Sequence, residues 1–175
     1  DNLISPDGYF TEGPYYQRFS IKPFMLLAQA IENNDPSIKI FEYRDSILKK
    51  ALYTTLQLTN TNGDFFPFND ALKGMTFTAP EVILALDIAY QNYSDDPKLL
   101  DIATKQGQVV LSEGGFNIAK QISENKTKAF NWGSVNLGDG SDGTKGGVGI
   151  LRKGASSDQL TQIMRYTSHG LAHGH

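Results

Sequence analysis

The chain has 175 residues, of which 39% are hydrophobic and 20% are charged, a composition typical of a globular protein with a buried core. Its net charge of −3 argues against a general nucleic-acid or membrane-surface binder, since both functions favour a basic face. The absence of cysteine excludes disulfide and thiolate chemistry.

Acid, hydroxyl and guanidinium side chains crowd into residues 5–19, a segment rich in turn-forming proline and glycine. They are Asp7, Glu12, Tyr15, Tyr16 and Arg18. Turns of this kind can aim side chains into a cleft, and a tyrosine beside a cation can exchange a proton with a carbon next to a carboxylate. The alternative is that Tyr15 and Tyr16 only cap a helical core.

Apolar residues at helical spacing predict five helices after the start of this segment. The predicted ranges are 21–33, 41–58, 96–111 and 116–122, and a further helix opens at the capping box Thr78–Glu81. Pro23 is assigned to the first turn of its helix, where proline is tolerated. Helices joined in this way favour an array of α-hairpins.

The loop after the second predicted helix is dominated by aromatic residues. Phe66 and Phe68 lead directly into Asn69 and Asp70. Aromatic faces beside an amide and an acid suit a sugar ring, which makes Asn69 and Asp70 candidate substrate contacts. An Asx turn that caps a helix is the alternative interpretation.

Near residue 129 the sequence pattern changes from helix to strand. Glycine becomes dense, and residues 148–152 and 160–166 are enriched in β-forming residues. The glycine-rich stretch 138–147 predicts a connection between strands, and it fits neither the P-loop nor the EF-hand pattern. We therefore expect a mainly α fold of the α+β type, with helices followed by an antiparallel sheet.

All three histidines lie within the last seven residues. His173 and His175 point the same way in an extended chain, so both imidazoles could face one metal ion or one anion. Two ligands do not complete a zinc site, which needs at least one or two more. A frayed, histidine-rich end that includes His169 is the alternative.

These stretches resemble the heparinase II/III-like polysaccharide lyases, a family that includes alginate lyases. The resemblance rests on residues 7–16 before an apolar helix, on 66–70, and on 169–175 after short strands. It implies that residues 1–128 form the C-terminal part of an (α/α) toroid and that 129–175 begin an antiparallel β-sandwich. It further implies a periplasmic or extracellular enzyme whose substrate is an acidic, uronic-acid-containing polysaccharide such as alginate or a heparin-like glycan.

The resemblance also implies a role for each candidate residue. Tyr16, with Tyr15 as the near alternative, matches the tyrosine that donates a proton during β-elimination, and His173 matches a histidine that faces the substrate carboxylate. The residues expected to contact or support the substrate are Tyr15, Glu12, Arg18, Asn69 and His169. His175 matches a ligand of the structural zinc ion that some members carry.

The family's Asn-His motif and its remaining zinc ligands have no counterpart in these 175 residues, so we expect this chain alone to be inactive or severely impaired. Two other functions stay open. A glycoside hydrolase on an α-toroid would use Asp7 with Glu12 or Asp70 as acid and base. A noncatalytic protein would bind glycans without turnover.

Overall fold

The computed structural model describes residues 3–69, 71–93, 96–154 and 158–167, which form five α-helices followed by one three-stranded antiparallel sheet. The elements are α1 (Pro14–Asn34), a 3-10 turn (Ile40–Glu42), α2 (Tyr43–Gln57), α3 (Pro80–Asn92), α4 (Pro97–Gln106), α5 (Glu113–Ser123), β1 (Val135–Gly138), β2 (Gly147–Lys153) and β3 (Leu160–Arg165). The predicted mainly α, α+β fold class is confirmed. Its assignment to a toroid and a sandwich stays a prediction.

The first helix begins earlier than the sequence pattern indicated. α1 starts at Pro14, directly after Gly13, whose φ of 86° lies outside the helical region. Pro14 is buried in the first turn, a position that suits proline because its missing N–H has no helical partner there. Pro23 therefore lies inside the helix, and its expected place in the first turn is wrong.

The other helix ends follow local signals only in part. The Asp96 side chain accepts a hydrogen bond of 2.9 Å from the Lys98 backbone N–H, as an N-cap should. α4 ends at Gln106, before the predicted end near residue 111, and is followed by Gly107 in the left-handed region at φ 69°. The capping box at Thr78 is not formed, because Ala79 is the N-cap and the Thr78 hydroxyl pairs with that of Thr76.

The five helices enclose one large apolar core. α1 packs against α2 and α3, and α3 packs in turn against α4 and α5. Among the fully buried residues are Met25, Leu52, Leu86, Leu100 and Ile102. Phe130 and Trp132, which follow the last helix, also pack into this core and lead the chain towards the sheet. No described helix is long and apolar enough to cross a membrane.

The strands are ordered β1-β2-β3, and one face of this sheet is buried. Leu137 pairs with Val148, and Ile150 pairs with Ile163 across the next strand. A second, smaller apolar cluster forms where this face meets the helical part, and its buried members are Tyr9, Leu58, Phe66, Phe68, Leu137, Val148 and Ile150. We call this region the junction.

An arginine from β2 fastens the end of α2 to the sheet at the junction. Arg152 donates through Nη2 to the carbonyls of Gln57 and Thr59, both at 2.7 Å, and through Nη1 to the Gln57 side chain at 2.9 Å. Burial lowers the pKa of Arg152 to about 10, so the side chain is still charged at neutral pH. Cationic donors on the last carbonyls of a helix are favourable because those groups lack helical partners.

Candidate active site

The N-terminal segment is a packed loop. The Ser5 hydroxyl accepts from the backbone N–H groups of Asp7 and Tyr9 at 3.2 Å. Gly8 has φ 82°, and a Cβ there would lie 2.4 Å from the Lys50 carbonyl carbon, so only glycine fits. Gln17 of α1 donates to the carbonyls of Gly8 at 2.7 Å and Ala51 at 2.9 Å, which fixes the loop to two helices at once.

The candidate tyrosines lie on the first turn of α1 and not on a turn-rich loop. Tyr15 and Tyr16 are half-buried, with ring centroids 5.1 Å apart and planes at 88°. Arg18 is only 5% exposed. Its Nη1 lies 3.0 Å from Glu81 Oε2, and its guanidinium carbon lies 4.8 Å from the centre of the Tyr15 ring. Arg18 thus packs its guanidinium against the Tyr15 ring. Its predicted contact with substrate stays a prediction.

The aromatic loop with Asn69 lies against the start of α1. A Cβ on Gly13 would be 3.0 Å from Cβ of Phe68, so the Gly13 backbone contacts the Phe68 side chain. Asn69 has a positive φ of 52° and accepts a hydrogen bond of 2.7 Å from Nη1 of Arg165 through Oδ1. The Asn69 Nδ2 group is buried without an acceptor in the described chain. Asp70 lies outside the described residues.

Arg165, the last residue of β3, is a site residue that the sequence analysis missed. Its guanidinium carbon lies 5.4 Å from the Phe68 ring centre. It also flanks Tyr9, whose side chain is fully buried. Burial raises the pKa of Tyr9 to about 12, and the positive charge of Arg165 only partly opposes that shift. Tyr9 therefore stays protonated at neutral pH.

The buried carboxylate of Asp139 joins the two ends of the described chain. Asp139 is 0% exposed and follows β1. Its Oδ1 accepts from the Thr11 hydroxyl at 2.7 Å, and its Oδ2 accepts from the Thr167 hydroxyl. Thr11, next to Glu12, and Thr167, two residues before His169, therefore bind the same side chain. His169, His173 and His175 lie outside the described residues.

The remaining predicted acids differ in their surroundings. Asp7 Oδ2 accepts a hydrogen bond of 2.9 Å from the Gly138 N–H, so this carboxylate holds the end of β1. Glu12 is half-buried between Thr11 and Gly13. No three His, Asp or Glu side chains group as metal ligands within the described ranges. The predicted zinc ligand His175 falls outside them, and the zinc site stays a prediction.

Three segments that are far apart in sequence thus meet beside the start of α1: residues 7–16, residues 66–69 and residues 165–167. The sequence analysis selected the first two and the histidines that follow the third. It missed Asp139 and Arg165. The signal for Arg165 was its place at the end of a strand just before the histidines, whereas Asp139 was hidden in a glycine-rich connection.

Comparison with known proteins gives relatives along the whole chain, although no protein-family profile matches it. The chain is 47% identical over 175 residues to a protein named exo-oligoalginate lyase from Saccharophagus degradans, of which it covers 24%. It is 42% identical over 175 residues to a protein named alginate lyase from Stenotrophomonas maltophilia, of which it covers 23%. The chain spans about a quarter of the length of these relatives, and over that span it is similar to proteins named as alginate lyases.

Proposed function

We propose that the protein is a polysaccharide lyase that cleaves alginate, a uronic-acid polymer, by β-elimination, with Tyr16 as its proton donor. The reaction class and substrate are supported by the 47% and 42% identity, over all 175 residues, to proteins named exo-oligoalginate lyase and alginate lyase. The bridge from Thr11 through Asp139 to Thr167 supports a site beside the start of α1. The bridge holds Thr167, the last described residue before the histidines, beside the segment that leads into α1.

The reaction breaks two bonds of the uronate and forms one double bond. A base takes the C5 proton, C4 loses the glycosidic oxygen, and the electron pair becomes the C4–C5 double bond. The C5 proton is acidic enough only if the charge developing on the adjacent carboxylate is stabilised by fixed donors. We assign this neutralising role to His173, and the protonation of the departing O4 to the Tyr16 phenol.

The rest of the site would hold the sugar. The Asn69 amide has a donor group with no protein acceptor in the described chain, and Arg165 fixes its oxygen. Tyr15 is half-buried and packed edge-on against Tyr16, which suits an aromatic wall beside a sugar ring. Glu12, Arg18 and His169 complete the proposed set as supporting residues around these contacts.

The test uses the full protein encoded by the gene, with alginate as substrate. The unsaturated product absorbs in the ultraviolet, so the wild type should give an absorbance that grows with time. Tyr16→Phe removes only the phenolic oxygen and should lower kcat by about 10²- to 10⁴-fold. Tyr43→Phe is the matched control, because Tyr43 is an exposed tyrosine at the start of another helix, α2.

Several outcomes would contradict the proposal. Full activity of Tyr16→Phe would remove Tyr16 from the mechanism. Products with saturated ends would indicate hydrolysis, and binding of alginate without turnover would indicate a noncatalytic glycan binder. Turnover of heparin or heparan sulfate in place of alginate would support the lyase reaction and overturn the assignment of alginate as the substrate.

A further inference from the structure

Asp139 is a buried carboxylate with an unusual set of partners. It is 0% exposed, and burying a charge is costly unless hydrogen bonds replace the lost water. The donors are the hydroxyls of Thr11 and Thr167 and the N–H of Gly140, the last at 2.7 Å from Oδ1. Its own backbone pairs with Lys145 and Gly146 within the β1–β2 connection. The carboxylate is therefore fixed in place.

The Asp139 side chain connects two segments that are far apart in sequence. Thr11 is 128 positions from Asp139 and Thr167 is 28 positions away on the other side. Each carboxylate oxygen accepts one hydroxyl, so the loss of either bond breaks the link through Asp139. The hydrogen bonds of Asp7 with Gly138 and of Arg165 with Asn69 would still hold the neighbouring parts of the two segments. An apolar core would stabilise the fold equally well but would not fix the segments at hydrogen-bond precision.

We propose that Asp139 is a positioning residue for the lyase reaction: it sets the position of the segment that ends at Thr167 relative to the loop that precedes the α1 tyrosines. This inference rests on the function proposed above. Reacting groups must be held in near-attack geometry, and a misplacement of about 1 Å can cost about 10²-fold in rate. Asp139 itself touches neither substrate nor reacting atoms in this role.

The test removes the hydroxyls and leaves the carboxylate in place. Thr11→Val and Thr167→Val keep the side-chain shape but cannot donate, and each should lower kcat by about 10- to 100-fold with little change in KM. The double variant should be no slower than the slower single variant, because one broken bond already releases the bridge. Thr11→Ser and Thr167→Ser restore the donor and should restore kcat.

Thr144→Val is the matched control. The Thr144 hydroxyl donates at 2.8 Å to Asp142, an exposed carboxylate in the same β1–β2 connection, and it bridges no distant segments. This variant should keep the wild-type kcat. Circular dichroism at the assay temperature establishes that each variant is folded. If the valine variants do not fold, Asp139→Asn decides, because it keeps the side-chain shape: lowered kcat supports the role and unchanged kcat overturns it.

The outcomes separate the two proposals. A wild type that releases no unsaturated product from alginate overturns the proposed function and the positioning role with it. An active wild type whose valine variants keep kcat, or whose double variant shows the product of both losses, overturns the positioning role alone. Loss of thermal stability without loss of kcat in the folded variants also overturns it, because that is the result of a purely structural bond.

Discussion

The helical core and the junction are held together by different physical means. The helical core is mainly apolar, with Leu52, Leu86 and Leu100 fully buried. The junction has a smaller apolar cluster, to which Arg152, Asp139 and Arg165 add charged hydrogen bonds. Apolar burial is strong but not directional, whereas charged hydrogen bonds are directional and fix relative position. The helical core is thus stabilised mainly by apolar burial, whereas the junction adds directional bonds that fix the sheet against the helices.

The largest effect is expected in the helical core. Leu86→Ala removes a side chain that is 0% exposed on α3 and should lower the free energy of unfolding by about 3 to 5 kcal/mol through lost burial and the cavity left behind. Urea unfolding followed by circular dichroism measures it. Leu111→Ala, at a fully exposed position, should change stability by less than about 0.5 kcal/mol. An equal loss in the free energy of unfolding for Leu86→Ala and Leu111→Ala would contradict the importance of apolar burial in the helical core.

At the junction a single charged side chain should matter nearly as much. Arg152→Met keeps the apolar stem but leaves the carbonyls of Gln57 and Thr59 without their donor. We expect a loss of about 2 to 3 kcal/mol in the free energy of unfolding, since hydrogen bonds to charged groups are strong and their removal strands buried partners. Lys153→Met is the neighbouring control on the same strand, where the side chain is exposed.

Asp87 is a polar exception inside the helical core, and it sharpens the comparison. It is 1% exposed, and its Oδ2 accepts from the Val110 N–H at 2.7 Å while Oδ1 has no partner in the described chain. Burial raises its pKa to about 6, with the Val110 hydrogen bond opposing the shift. The carboxyl is thus a cost to the folded state at neutral pH.

The sign of the pH dependence follows from that raised pKa. An unfolded aspartate has a pKa of about 3.9, so between about pH 4 and pH 6 the folded state holds a proton that the unfolded state has lost. The contribution of Asp87 to stability therefore falls as pH rises through this window. Asp87→Asn should flatten this part of the profile and raise the free energy of unfolding at pH 7 by about 1 to 2 kcal/mol. An unchanged profile in urea unfolding at pH 4.5 and 7 would contradict it.

Local signals in the sequence predicted most of the helical part. The start of α4 at Asp96–Pro97 follows from capping, and the approximate range of α2 follows from apolar spacing. The start of α1 did not follow, because the segment from Pro14 is rich in polar side chains, and its helical state is supported by distant contacts such as Arg18 with Glu81. Capping at Thr78 failed because Thr76 competes for its hydroxyl.

The candidate site was predictable only in its parts. Residues 7–16 and 66–69 carry chemistry that stands out in the sequence, and both lie at the junction. The elements that bring them together, Asp139 and Arg165, act across about a hundred positions or more. No periodic sequence pattern indicates a contact between residues so far apart in the chain, so a single sequence cannot reveal it.

The two hydrogen bonds that Gln17 donates have a consequence for its neighbour Tyr16. Successive side chains leave an α-helix about 100° apart, so anchoring the Gln17 amide to the Gly8 and Ala51 carbonyls also sets the azimuth of Tyr16. The position of the Tyr16 phenol can then change only through rotation about its own side-chain bonds, and not through rotation of α1 about its axis. Under the function proposed here, the buried Gln17 amide would orient the proton donor without contacting the substrate.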